Sequence, residues 1–386
     1  MKASRTTKCV LTLAFLAIVF VEGAVQTALE LGHGDAPHVL QLFTRVPNAA
    51  NLRAFETRLE KGSWSIRWTR PATQYARYLL MRDLGAKAIQ GTGDWLFYRP
   101  AVDFAVQPWP DTKSNVNTAD EALAAIVDFR NALAARGIAL LVVIAPNKSS
   151  IYPDELSARA RGNEAAVHAH SGAFMERLGQ AGVPLVDLFA LFTAARAGGN
   201  DPGCYLAHDT HWSPAGMRLA AQAVAERVLA EDWASAGARQ YEERAVAAPR
   251  EGDLLRMVDA PRIARHFAPR MVAYAQVIDV TTAAPYDDDP ASPILVLGDS
   301  FLRIYQQDEP GAAGFVSHLA RNLRQPVASI VNDGGASTLV RQELARRPEL
   351  LQGKRLVIWE FVERDLRFGT EGWQHVALPE VSPTPS

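Results

Sequence analysis

Two short segments carry the residue types of a serine site for ester cleavage or acyl transfer. One is His208-Asp209-Thr210-His211-Trp212 and the other is Leu297-Gly298-Asp299-Ser300-Phe301. A serine hydroxyl is a weak nucleophile at neutral pH. It needs a base within hydrogen-bond reach, and the base needs a third group that fixes its tautomer. Ser300 is the candidate nucleophile, His211 the candidate base and Asp209 the candidate orienting acid. Residues two apart in an extended segment point to the same side. Asp209 can therefore face one ring nitrogen of His211 while the other faces Ser300. His208 is a competing base, without an acid at the same spacing. The plainer reading makes Gly-Asp-Ser a strand-ending turn and Asp209 a helix cap.

Attack on a carbonyl builds an oxyanion, and removing one buried donor to it typically costs about 3 kcal/mol of transition-state stabilisation. Three donors are candidates: the Ser300 backbone N–H, that of Gly334 or Gly335, and the Asn332 side chain. Arg303 and Arg341 are candidates for an anionic substrate, against the usual solvated role of surface arginines. No metal site is expected, because His168 and His170 lie two apart with no third ligand nearby. A phosphate-cradling Gly-Lys-Ser/Thr loop is missing, so no cofactor is expected.

These residues need a scaffold, and the chain supplies the pattern of one. Thr118 and Glu121 form a capping box that opens a helix to Arg136, stopped by Gly137. Apolar runs at 139–145, 183–188, 294–297, 327–331 and 356–361 read as strands. Helical patterns lie at 164–180, 311–324 and 337–346, and Ser213 caps another with Pro214 at its first position. Continuous apolar strands separated by helices predict an α/β fold with a mainly parallel sheet covered on both faces. Ligands in such sheets bind beyond the carboxyl ends of the strands. Asn147-Lys148, Asp187, Asp299-Ser300, Asn332-Asp333-Gly334 and Glu360 all stand at such ends. Residues 53–90 read as helical, 95–98 as strand-like, 105–117 as loop, and 235–292 as an irregular insertion.

The chain has 386 residues, 48% hydrophobic and 21% charged, with a net charge of −2. That is globular composition without the basic patch of a nucleic-acid surface. Two cysteines make no disulfide framework; Cys204 reads as a packed small side chain. Lys2, Arg5 and Lys8 precede an apolar run from Val10 to Val21, followed by Glu22-Gly23-Ala24. This is the layout of an export signal, either cleaved or retained as an anchor. The expected organisation is a signal or anchor at 1–25, a helical segment at 26–92, a catalytic domain at 93–370 and a tail at 371–386.

Taken together, Gly298-Asp299-Ser300 and the upstream Asp209-Thr210-His211-Trp212 resemble the SGNH-hydrolase-like proteins of alginate and related exopolysaccharide O-acetylation. Gly93-Asp94-Trp95-Leu96-Phe97-Tyr98 is similar to that family's opening signature, and residues 145–153 to its proline–lysine–tyrosine segment. Asp333-Gly334-Gly335-Ala336-Ser337 and Val357-Ile358-Trp359-Glu360-Phe361 fit its last two strand ends. The Asp–His motif precedes the serine motif at a spacing of two, as in this circularly permuted branch. The resemblance implies an SGNH-like α/β fold and a Ser300–His211–Asp209 triad. It further implies a periplasmic location, either free or anchored to the inner membrane by an uncleaved signal, a polysaccharide acceptor, and a membrane-bound O-acyltransferase as acetyl supplier. Trp95, Tyr98 and Trp359 are candidate sugar contacts. The chain ends soon after Glu360, so the carbohydrate-binding module of one branch is not expected. A carbohydrate acetylesterase with the same triad, or a non-catalytic partner of the acyltransferase, are the alternatives.

Overall fold

A computed structural model describes residues 4–386 except 41–43, 45–47, 109–117, 163–168, 199–200, 202, 259, 334, 370 and 380–386. His168 and Gly334 thus lie outside the described residues, as do most of the 105–117 loop and the end of the tail. The chain forms two compact units.

The first unit is Met1–Asp83 with Asp259–His266. Its helix Arg5–Gly32 is long and apolar enough to cross a membrane, a test that an N-terminal signal also passes. Residues of its far end bind the following helices: Glu22 accepts from Ser63 Oγ at 2.5 Å and Gln26 Oε1 accepts from Trp64 N at 2.9 Å. The stretch expected as helical at 53–90 is two helices, Ala49–Gly62 and Trp64–Met81, divided at Ser63. Arg82 then takes a left-handed conformation and closes the second, and residues 88–90 are a strand.

The second unit is Leu84–Val258 with Phe267–Ser386. Its strands in chain order are β1 (Ala88–Gln90), β2 (Leu96–Tyr98), β3 (Ala139–Ala145), β4 (Leu185–Val186), β5 (Tyr241–Arg250), β6 (Arg270–Asp279), β7 (Ile294–Gly298), β8 (Ala328–Val331) and β9 (Leu356–Val362). Five of them form an all-parallel sheet in the order β4-β3-β9-β7-β8. β7 and β9 are buried along their whole length, which is why they carry unbroken apolar runs instead of alternation. The capping box closes as expected: Thr118 accepts from Glu121 N and Glu121 reaches back to Thr118 N, opening helix Ala119–Ala134. Ser213 accepts from Gly216 N at 3.1 Å and starts helix Pro214–Leu229.

Three expectations change. The strand expected at 183–188 shrinks to Leu185–Val186, because Asp187 caps a helix, Leu188–Ala197, by accepting from Ala190 N at 2.9 Å. The start of the expected 105–117 loop is the end of a helix, Arg99–Val106. The insertion is not irregular: β5 and β6 pair antiparallel over ten residues each.

Candidate active site

The two motifs meet at the carboxyl edge of the parallel sheet. β7 ends at Gly298, and Asp299 turns the chain into the short helix Ser300–Arg303 by accepting from Phe301 N at 2.8 Å. Ser300 is the first residue of that helix, so its N–H has no intrahelical acceptor. The His208–Trp212 loop arrives from the other side, anchored by Trp212. That indole is fully buried, stacked on Phe315 and edge-on to Phe301.

His211 Nε2 lies 2.9 Å from Ser300 Oγ. On the other side of the ring, Nδ1 lies 2.7 Å from Asp209 Oδ1. An ionised carboxylate only accepts, so Nδ1 carries the proton and Nε2 is left to accept from the serine hydroxyl. Asp209 is fully buried, and its second oxygen accepts from Arg250 Nε at 2.7 Å. Burial alone would raise this carboxyl, but the His211 hydrogen bond and the charges of His211 and Arg250 hold it far below the usual carboxylate range. Burial lowers His211, and the hydrogen bond and charge of Asp209 with the charge of Asp253 outweigh it, leaving the imidazole above its usual value.

Lys148 pins the loop from below. Its ammonium donates to the carbonyls of Leu206 at 3.0 Å, Ala207 at 3.0 Å and Asp209 at 2.6 Å. Burial pulls it down to about 7 against the charges of Asp209 and Asp253. Three carbonyl acceptors match the three N–H donors of the charged form. Behind Ser300, Glu360 Oε2 accepts from Asp299 N at 3.3 Å, and burial with the Asp299 charge pushes Glu360 well above the carboxylate range.

The other expected residues have partners of their own. His208 is not beside Ser300's partner nitrogen; its Nε2 lies 3.2 Å from Asp94 Oδ2 and burial lowers its pKa. The Asn332 amide donates to Glu343 Oε2 at 3.3 Å. Gly335 N–H donates to the Asn332 carbonyl at 3.1 Å, which occupies one of the two glycine donors expected to face an oxyanion; the other, on Gly334, lies outside the described residues. Arg303 is paired with Asp308 and, at 2.8 Å, with Asp333. Arg341 corrects the expectation of an anion-binding surface arginine. It is fully buried, donates to the Ser337 and Gln374 carbonyls, and lies over the Trp359 ring. Trp359 is core as well, its indole N–H donating to Ala336 O at 2.9 Å. Trp95 and Tyr98 are half-buried; Trp95 stacks on Tyr152 and the Arg364 guanidinium lies over Tyr98. Cys204 is buried and pushed up to about 11, as a packed side chain would be.

Arg250, Asp253 and Lys148 were not assigned roles from the sequence. The first two are about forty positions from Asp209, with no spacing signal; the one hint is Gly252 set between charged residues. Asp209, His211 and Asp253 bring three donor atoms within 4.8 Å of one another. Each is already engaged, by Arg250, by Thr210 or by one another, and the Arg250 guanidinium and the Lys148 ammonium are cations beside the cluster.

A family model described as the SGNH hydrolase-like domain of the acetyltransferase AlgX matches residues 88–363. The chain belongs to this family of SGNH hydrolase-like acetyltransferases. A probable alginate O-acetylase AlgJ of Pseudomonas syringae pv. tomato is 26% identical over 330 residues, 81% of this chain and 82% of that protein. One from Azotobacter vinelandii is 26% identical over 298 residues, 75% of this chain and 72% of that protein. Among solved structures, the O-acetyltransferase domain of Pseudomonas putida AlgJ superposes with a TM-score of 0.55 at 26% identity, covering 72% of this chain and 92% of that one. Pseudomonas aeruginosa AlgX, at 20% identity and a TM-score of 0.54, shares the fold.

Proposed function

We propose that this chain transfers acetyl groups through Ser300 to hydroxyls of an alginate-like exopolysaccharide on the periplasmic side of the membrane. His211 Nε2 accepts the Ser300 proton as Oγ attacks the acetyl carbonyl, and Asp209 stabilises the imidazolium that forms. The imidazolium returns the proton to the leaving group, which departs and leaves acetyl-Ser300. A sugar hydroxyl then gives its proton to His211 and attacks the acyl carbon. The Ser300 oxygen leaves and takes the proton back. The observation that carries this reading is the unbroken Ser300–His211–Asp209 chain at 2.9 Å and 2.7 Å. The names of the AlgJ relatives support the polymer class.

The basic residues before the apolar run from Val10 favour a cytoplasmic N-terminus and an exported catalytic unit. Hydrogen bonds that Glu22 and Gln26 accept from Ser63 and Trp64 support a retained anchor. A membrane-bound O-acyltransferase is the proposed acetyl supplier, by the family resemblance.

The deciding experiment incubates the full chain with a small acetyl ester, with and without alginate oligomers, and reads both by mass spectrometry. Oligomers that gain acetyl mass are expected. Free acetate at the same rate in both cases, with no oligomer gaining mass, points to the esterase. An inert Ser300 toward serine-directed probes points to a scaffold.

A further inference from the structure

Five consecutive residues, Arg250–Leu254, grip four consecutive residues, His208–His211, at successive points. Arg250 Nε donates to Asp209 Oδ2 at 2.7 Å. Gly252, at φ 92°, lies so close to the His208 carbonyl that a Cβ there would collide with it. Asp253 accepts from Thr210 N at 2.7 Å and also from the Thr210 hydroxyl. Its Oδ2 lies 3.5 Å from His211 Nδ1. Leu254 N donates to the His208 carbonyl at 3.3 Å. All of this comes from the end of β5 and the start of the short helix after it, Asp253–Met257, outside the parallel sheet that carries Ser300.

We propose that Arg250–Leu254 is a clamp that holds Asp209 and His211 in working geometry, with Arg250 and Asp253 as positioning residues for acyl transfer. The proposal rests on the reading of Ser300, His211 and Asp209 as the reacting groups. Asp209 has two oxygens and both are committed, one to His211 and one to Arg250. A carboxyl buried this deeply takes up a proton unless a cation and donors answer its charge. Arg250 supplies both and fixes which oxygen meets the imidazole.

Asp253 adds a second carboxylate on the Nδ1 side, where it favours the protonated ring. The charged groups around His211 are Asp209 and Asp253 from the loop and clamp, and Arg364 beyond β9, which opposes protonation. Asp299, on the Ser300 turn, is near enough to feel the His211 charge. The Ser300 hydroxyl and the Phe301 ring complete its surroundings. Around Asp209 stand Arg250, Asp253, Tyr274, Tyr305 and the Lys148 ammonium.

The test measures kcat, KM and melting temperature on 4-nitrophenyl acetate across about pH 5 to 9. It compares the full chain with Arg250→Met, Arg250→Lys, Asp253→Asn, Gly252→Ala and Ser300→Ala. Arg250→Met should lower kcat about tenfold to a hundredfold with KM held, the size expected for losing one hydrogen bond to a charged group. Arg250→Lys should recover part of that loss. Asp253→Asn should move the acid limb of the profile to lower pH, which a merely structural residue would not do. Gly252→Ala should lower kcat because its backbone and the His208 carbonyl cannot both stay in place. The clamp is overturned if Ser300→Ala is inactive while Arg250→Met keeps kcat within about twofold and Asp253→Asn leaves the acid limb unmoved. If Ser300→Ala keeps full activity, the triad itself is wrong and the clamp goes with it. Should Arg250→Met or Gly252→Ala fail to fold, nitrogen-15 NMR decides on the unaltered chain and Asp253→Asn. Equal His211 titration in the two would overturn the proposal.

Discussion

Gly298 stands against Glu360: a Cβ built on the glycine would lie 2.5 Å from Glu360 Oε2 and 2.5 Å from Leu302 Cδ1. The missing side chain lets an acid from β9 pack beneath the turn that presents Ser300. Gly298→Ala must displace both neighbours or shift the turn itself. Overpacking of this kind costs about 1–3 kcal/mol. Melting temperature and turnover, measured on one preparation, should both fall. A variant unchanged in both would show that the end of β9 yields freely.

Ser300→Ala removes one oxygen from a half-buried position and no packing atom. Its melting temperature should match the parent chain. Hydrolysis or transfer of an acetyl ester should fall by at least about 10³-fold, leaving only what binding and the oxyanion donors supply. Parent-like turnover would end the triad assignment.

Asp209 does not cap the helix that follows it; Ser213 does. Asp209→Asn therefore leaves the helix start intact and changes the partner of His211. One amide nitrogen must then face either the Arg250 or the His211 donor, and donor opposes donor. A loss of about 10⁴-fold in kcat is expected, by analogy with other triads. A rate within about tenfold of the parent would not fit an orienting carboxylate.

The base must be neutral to accept the serine proton. His211 sits above its usual value because Asp209 and Asp253 outweigh burial, so its charged form persists to higher pH. Activity is lost as pH falls through that raised value. The acid limb of kcat/KM should therefore lie above about 6.5, the ordinary histidine value. The stability sign is opposite: the gain from this charged pair is complete below about pH 6.5 and fades as pH rises through the folded value. A limb below about 6 would contradict the charge balance drawn for this ring.

His318 supplies a separate acid lesion. It is buried, pulled down to about 4 by burial and by Arg218 and Arg321, and held at 2.9 Å to the Ala275 carbonyl. The unfolded chain takes up a proton near pH 6.5 that the folded chain refuses until about pH 4. Stability should fall across that window, by about 3 kcal/mol at most. His318→Gln cannot titrate and should flatten the decline. Denaturant melts of both chains at several pH values check it, and parallel slopes would rule the residue out.

The parallel sheet was legible because burial on both faces writes strands as continuous apolar runs, as at 139–145 and 294–297. Helix starts were legible where a cap is local, as at Thr118 and Ser213. The two motifs that meet around Ser300 and His211 were legible because each is a short segment. What failed was non-local or compositionally mute. β5 escaped because its residues alternate only between half-buried and exposed, with Ala and charged side chains on a two-stranded ribbon. Leu188–Ala197 escaped because its apolar start prolongs the run of β4, and only the Asp187 carboxylate divides them. Arg341 was misread because charge argues for the surface, while a guanidinium can be buried when carbonyls and ring faces receive it.

The return of the chain to its first unit at Asp259–His266 bears on how the protein tolerates proteolysis. There, Pro261–Ala264 packs on Trp64–Met81, and His266 stacks on Tyr75. A protease that cut between Asp83 and Leu84 would free the catalytic unit from the apolar N-terminal helix. The released piece would carry the return segment away from the helix it packs against, leaving Ile263, fully buried in the intact chain, without that cover. Shedding would thus leave the catalytic unit with a fresh apolar lesion. Nicked material should adhere to hydrophobic resins more strongly than the intact chain's surface would suggest.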